Sequence, residues 1–437
     1  MMGRMPAGQE SLFVAGFSLD KRIRQDHPLR KIAGVVDFKF VDGEVRDKYG
    51  YNGNVSVPPV VVLKMMLLLV AYNVRSEREL METIPERLDW LWFLGYNLES
   101  DVPGHSVLSK ARIRWGEDVF KKFFERVLMQ CVERGLVDGS KIFMDSSLVY
   151  ADASKNSVVD TETNKKYLDK GYPELEKRLG EREVGDGKVN RRHVSSTDPE
   201  AAIIRRGGSP NLAYKVHRSV DSSSEVITAT QTTAADTDDA HKMAALMEDH
   251  KRNTGLAAKV VVADSKYGTV ENFLSCYDMK VKAHVYGLRR AQEKGGGLDG
   301  IYSESRFKYD ESSDSYECPA GKRLRPKSRH LQRQSVDYAA SKKDCAACDQ
   351  RSACTKNKDG RTVKRHLRHR ELSLMRSRAG SKKAKADLKT RSHLMERSFA
   401  RSVRYGFKRA RWRGRWRVAI QEYMTSTIQN IFVLTRN

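Results

Sequence analysis

Apolar side chains recur along this chain at two different periods, and the change of period divides it. Pro58 and Pro59 stand where a first helical turn takes prolines, ahead of the apolar run Val60 to Val74, and a second helical stretch is expected from Glu77 to about Phe93. Ser106 reads as the cap of a short helix carrying Lys110, Arg112, Arg114 and Trp115. In the helix after it, Val119, Phe120, Phe123, Phe124, Val127, Leu128 and Cys131 repeat at three- and four-residue steps up to Gly135. The first third is therefore expected to be helical, with Trp90, Trp92 and Phe93 in its core.

The period then shortens. Lys141 to Met144 reads as a short buried strand ending at Asp145, and Ser154 to Gly208 as a polar excursion over the surface. Leu212, Tyr214, Val216 and Val220 alternate on one face of a β-hairpin whose Ser-rich turn follows Asp221. Lys259 to Asp264 is an uninterrupted apolar strand of the kind found inside sheets, followed by a helix near Thr269 to Tyr277 and a strand near Val281 to Tyr286. This order predicts a mixed α/β core. A Gly-, Ser-, Lys- and Arg-rich stretch from about Leu288 to Lys382 interrupts it before two closing helices, Ser392 to Tyr405 and Val418 to Leu434.

Charge narrows the partner. The chain carries 80 Lys plus Arg against 56 Asp plus Glu, a formal +24, and from Arg361 onward 22 basic residues face only 4 acidic ones. Such a field suits a dense polyanion, with nucleic acid ahead of an anionic membrane. The most apolar stretch, Val57 to Val74, is interrupted by Lys64 and falls short of the roughly 20 apolar residues of a bilayer span. The opening segment has no apolar core of the signal-peptide type, and six cysteines are too sparse for a disulfide scaffold. A reducing, cytoplasmic setting is expected.

Three acids are candidates for chemistry. Asp145 and Asp264 each end a predicted core strand, and Glu396 sits on a late helix among basic residues. Carboxylates at the rim of a sheet can hold two Mg²⁺ ions about 3.5–4 Å apart, which clamp the attacking and leaving oxygens of a phosphodiester. Spacing alone equally allows two strand-end caps and a salt-bridged helix residue. Asp152 and Asp221 lie nearby, the latter at a turn where Asp commonly bonds its own backbone. Cys318, Cys345, Cys348 and Cys354 form C-x26-C-x2-C-x5-C, a candidate structural zinc set, with reduced thiols and disulfides as the other readings. From Arg404 through Lys408, Arg409, Arg411, Trp412, Arg413, Arg415, Trp416 and Arg417, guanidinium groups alternate with indoles. The Arg are expected to grip DNA phosphates, and the Trp either to stack on an exposed base or to pack inward. The N-terminal helices are either a DNA reader near Lys110, Arg112 and Arg114 or a purely structural bundle, and His105 is a cap neighbour.

Several strings then place the chain. VPGHSVLSKARIRWG, KIFMDSSLVYADAS, VVVADSKYGTVENF, YECPAGKRL, CAACDQRSACT and MERSFARSVRYGFKRARWRGRWRVAIQEYMTSTIQNIFVL resemble the bacterial DDE transposases of insertion sequences, in the group numbered eleven-eighty-two. The resemblance runs from about Phe17 to the end. It implies a ribonuclease-H-like core over 138–287 and 383–437, an N-terminal all-α domain over 1–137 that binds DNA, and an inserted cysteine-containing module over 288–382. It also implies Asp145, Asp264 and Glu396 as the catalytic triad on two Mg²⁺, for which Mn²⁺ can substitute. The family's Arg four residues before the Glu and Lys seven after it are Ser392 and Val403 here, with Arg391 and Arg404 each one position away. The implied activity is cleavage at transposon inverted repeats and strand transfer into target DNA, by a homo-oligomer on the bacterial nucleoid. A catalytically silent DNA-binding derivative and a nuclease without joining are the alternatives.

Overall fold

The computed structural model describes residues 2–3, 18–50, 55–161, 188–286 and 301–436. The middle of the polar excursion and the start of the cysteine-bearing stretch, 287–300, lie outside these. The chain forms two compact units, Met1–Ala263 with Asp387–Asn437, and Asp264–Ala386.

In the first unit the helical third is built around α1 (Pro59–Ala71), whose residues are buried on nearly every side, as an all-round apolar helix must be. Lys64 is accommodated there because its ammonium donates to the Phe93 carbonyl at 2.7 Å and lies over the Phe38 and Phe93 rings. The single helix expected from Glu77 to Phe93 is two, Glu77–Thr83 and Leu88–Leu94. Pro85 breaks it at a 3₁₀ turn. Helix α2 (Ser106–Glu133) joins the two expected helices across a kink at Gly116, where φ is 73°. Ser106 is its first residue rather than its cap, which falls on exposed His105. Trp90 and Phe93 are buried, while Trp92 is half-buried beneath the Arg30 guanidinium.

The sheet of this unit starts with β1 (Lys141–Tyr150), longer than its apolar half predicts. Further strands are β2 (Ala202–Arg206), β3 (Ser209–Asp221), β4 (Ile227–Ala234) and β5 (Val260–Ala263). Strand β3 lies antiparallel to β1 on one side, with Asp145 opposite Arg218. Its other edge pairs with β2 and β4. On the far side of β1, β5 runs parallel, with Phe143 opposite Val262. The polar excursion is thus partly structural: β2 is an edge strand, and Val158–Asp160 pairs with His193–Ser195. Helix α3 (Met243–Thr254) connects β4 to β5 and was not expected, although Met243, Leu246, Met247 and His250 bury at helical spacing before Gly255.

Two long helices cover the sheet, α4 (Lys382–Val403) and α5 (Arg415–Arg436). Nearly all of α5 is buried, because one side meets α2, with Phe124 and Tyr423 rings 6.1 Å apart, and another meets β4. Asn430 pins it there by accepting from the Ile227 N–H at 2.8 Å and donating to the Ile227 carbonyl at 2.9 Å.

The second unit holds a helix, Val270–Asp278, and an antiparallel sheet in chain order, β6 (Lys308–Asp310), β7 (Ser315–Glu317), β8 (Arg323–His330), β9 (Ser335–Ala340) and β10 (Thr362–His366). Its core is small, made of Phe307, Tyr316, Leu324, Tyr338, Ala340 and Val363. Among the described residues, no helix is long and apolar enough to cross a membrane.

Candidate active site and basic segment

Asp145 stands in the middle of β1 on the face that α4 covers. Its Oδ1 accepts the Ser146 N–H at 2.8 Å, and its Oδ2 takes an ion pair from Arg391 of α4 at 2.8 Å. Arg391 also reaches the Met144 carbonyl at 3.4 Å. Along α4 the contacts follow β1 and β3 in order: Asp387 with Lys141 at 2.8 Å, Arg391 with Asp145, then Ser402 with Arg218 at 2.8 Å. Glu396 lies between the second and third of these. It is exposed, and its Oε1 accepts from Ser392 at 3.0 Å. Asp264 is the residue after β5, and there it caps a 3₁₀ turn by accepting the Lys266 N–H at 3.0 Å. Among the described residues, no three His, Cys, Asp or Glu side chains are already grouped as a metal-holding set.

Beneath this face lies an ion pair that pattern-reading passed over. Arg218, fully buried, sits between the Phe399 and Phe407 rings and donates through Nε and Nη2 to both oxygens of Glu422, each at 2.7 Å. Thr230 at 2.9 Å and Ser426 at 2.6 Å also donate to Glu422. The carboxylate and the guanidinium are thereby almost fully bonded, which is the condition for keeping charge in a core. The pair fastens α5, and through Ser398 and Ser402 the C-terminal half of α4, to the strand opposite Asp145. On the other face of β1, Ser146 donates to buried Asp239 at 2.8 Å, which Lys215 also reaches at 3.1 Å; burial holds neighbouring His217 neutral, well below the usual imidazole range. Asp221 accepts from the Gly139 and Ser223 N–H groups, each at 2.8 Å, in the turn-holding capacity its position suggested.

The basic segment is docked on the end of β1. Tyr150 donates to the Lys408 carbonyl at 2.9 Å and accepts from the Ala410 N–H at 2.7 Å. Arg411 turns inward, its Nη1 donating to the Val74 carbonyl at 2.6 Å, and Trp412 lies 4.1 Å from the Arg112 guanidinium and donates to Glu77 at 3.2 Å. Arg112, itself buried, is ion-paired with Glu77. Hence Arg112, Arg411 and Trp412 each spend polar groups on partners within the protein, Arg112 buried and the other two half-buried. Asp198 and Glu200 accept the Gly414 and Arg415 N–H groups at 3.1 and 2.9 Å. Burial pushes the Asp198 carboxyl up to about 6, against the opposing hydrogen bond from Tyr214. Arg404, Lys408, Arg409 and Arg413 are exposed, the last two beside Asp152. Arg415, Trp416 and Arg417 are half-buried, with Arg417 over the Trp416 ring. In the N-terminal helices Lys110 and Arg114 are exposed.

The four clustered cysteines come together in the second unit. Cys318, Cys345, Cys348 and Cys354, all half-buried free thiols, line one cavity of about 30 Å³. Cys131 and Cys276 are buried in helices, where burial pushes each thiol up to about 12.

A central strand with an antiparallel neighbour on one side and a parallel one on the other, covered by helices and bearing an acid in mid-strand, makes a mixed α/β core. Two stretches of the chain match transposase families, which is consistent with a DDE transposase of an insertion sequence. Residues 17–114 match a family described as transposase domain (DUF772), and residues 317–435 match a family described as transposase DDE domain. No curated protein matches the chain. Among solved structures it is similar to the piggyBac transposase in a synaptic complex with hairpin DNA, at 12% identity and a TM-score of 0.35, covering 94% of this chain and 74% of that one.

Proposed function

We propose that the protein cuts DNA at the ends of its insertion sequence and joins them to target DNA, using Asp145, Asp264 and Glu396 to hold two Mg²⁺ ions. The observation that carries this reading is the Arg391–Asp145 ion pair, because it docks the helix bearing Glu396 onto the strand bearing Asp145. Asp145 is two residues beyond Phe143, and Asp264 two beyond its partner Val262 on the neighbouring parallel strand. The donor set suits a hard cation, since it is all carboxylate, and the Asp145 carboxylate already attracts a cation in Arg391.

Mg²⁺ bound by these acids would stabilise charge on the scissile phosphate and activate the attacking oxygen. The protein's own groups do the rest. Arg391 holds the Asp145 carboxylate aimed toward α4. Arg404, Lys408, Arg409 and Arg413 offer exposed charge to DNA phosphates beside the end of β1. Water cleaves the phosphodiester at the transposon end, and the 3′-OH released attacks a target phosphodiester, so one P–O bond forms for each one broken. No covalent enzyme intermediate is needed. Joining two ends requires both to be held at once, which points to a homo-oligomer on DNA in the bacterial cytoplasm, at the nucleoid.

Incubating the protein with its element's own inverted-repeat ends, target DNA and Mg²⁺ should give nicked ends and then joined products. Binding without cleavage would mark a silent DNA-binding derivative, and cleavage without joining a plain nuclease.

A further inference from the structure

We propose that Cys318, Cys345, Cys348 and Cys354 bind one zinc ion as a closed tetrathiolate site that staples the sheet of the second unit. The inference does not depend on the DNA chemistry proposed above.

Four thiols, from one turn, two short helices and the link between those helices, surround one small cavity. Cys318 follows β7 in a tight turn: its N–H donates to the Lys322 carbonyl at 2.8 Å, and the Gly321 N–H, at a φ of 72°, donates back to the Cys318 carbonyl at 2.9 Å. That turn aims the Lys322 N–H at the Cys318 Sγ, at 3.3 Å. Cys345 lies in the short helix Lys342–Ala346, and Cys348 follows it in a turn whose carbonyl accepts the Arg351 N–H at 3.0 Å, opening the helix that ends at Cys354. Gly360, with φ at 100°, passes so close that a Cβ there would stand 3.1 Å from the Cys345 Sγ. At that φ a larger residue would be strained, and the Cys345 Sγ would have to give way to it.

Charge balance agrees. Four thiolates around Zn²⁺ carry a net charge of about −2, and Lys322, Arg351 and Arg361, against the acidic Asp344, line the same cavity. Arg361 is itself braced, donating to the Cys354 and Tyr302 carbonyls at 2.9 Å each. Need also agrees, because the six-residue core beneath this sheet is small and Cys318, Cys345 and Cys354 pack against its edge. Small cores of this kind are commonly completed by a metal or disulfides. Soft sulfur ligands exclude Mg²⁺ and Ca²⁺, and a four-thiolate tetrahedron is a zinc geometry. The thiols are not yet at metal-holding separations, so binding draws the four Sγ atoms in to about 2.3 Å from a common centre, with release of their protons.

The test uses the full chain purified under reductant. Zinc should be present at about one ion per chain, and N-ethylmaleimide should reach these four cysteines only after a chelator is added. Cys348→Ser should lose the zinc, whereas Cys276→Ser should keep it. If Cys348→Ser does not fold, Co²⁺ exchanged into the unaltered protein should show intense thiolate-to-metal absorption. Prompt alkylation of all four thiols without chelator, protection that yields to stronger reductant but not to chelator, or iron in place of zinc would each overturn the proposal.

Discussion

Glu422→Ala should destabilise the first unit by about 3–5 kcal/mol, among the largest losses any single side chain here can produce. The substitution strands the fully buried Arg218 guanidinium, which loses two charge-assisted hydrogen bonds at 2.7 Å and cannot reach water from between two phenylalanine rings. Thr230 and Ser426 lose their acceptor at the same time. Urea denaturation followed by far-UV circular dichroism reads the loss directly. Replacing both partners with apolar residues of similar size, Arg218→Met with Glu422→Leu, should recover much of it, since no unpaired charge remains. A Glu422→Ala loss under about 1 kcal/mol would mean that the pair is not the brace its geometry indicates.

Asp145→Asn should lower DNA-end cleavage by on the order of 10³-fold or more, a scale typical of removing one preorganised electrostatic group from a reacting centre. DNA binding should stay level or rise slightly, because one negative charge is removed and none of the exposed basic residues is touched. Asp264→Asn and Glu396→Gln should behave alike. The three effects should also fail to add, as groups holding one set of ions act together. Single-turnover cleavage alongside a mobility-shift titration separates the two outcomes. Equal loss of binding and cleavage would instead assign these acids to the fold.

Much of this architecture can be read from the residues. The all-apolar helix behind Pro59, the long helix closing at Gly135 and the hairpin from Leu212 follow from period and punctuation, because in each the buried face is continuous. What escaped was the polar interior. Arg218 occupies a position in the very alternation of Leu212, Tyr214, Val216 and Val220 that predicts a buried face, and Glu422 interrupts the apolar stripe of the last helix. A charge at each of two core positions implies that they meet, but nothing in one-dimensional spacing says so. The basic segment left open whether its Trp stack on a base or pack inward. Its repeating Arg and Trp look uniform, yet Arg411 and Trp412 turn inward because Asn73, Val74, Glu77 and Arg112 supply partners from a distant stretch of chain. Strand β2 was hidden by its polar surroundings, since an edge strand needs apolar residues on one side only.

Whether Asp145, Asp264 and Glu396 hold ions in common is most directly measured by exchanging Fe²⁺ for Mg²⁺ and adding peroxide and ascorbate, so that hydroxyl radicals cut the polypeptide wherever the metal sits. Three convergent carboxylates predict scission clustered beside residues 145, 264 and 396, suppressed by excess Mg²⁺ and lost in Asp145→Asn. Scission confined to one of these segments, or falling elsewhere in the chain, would contradict a shared metal centre.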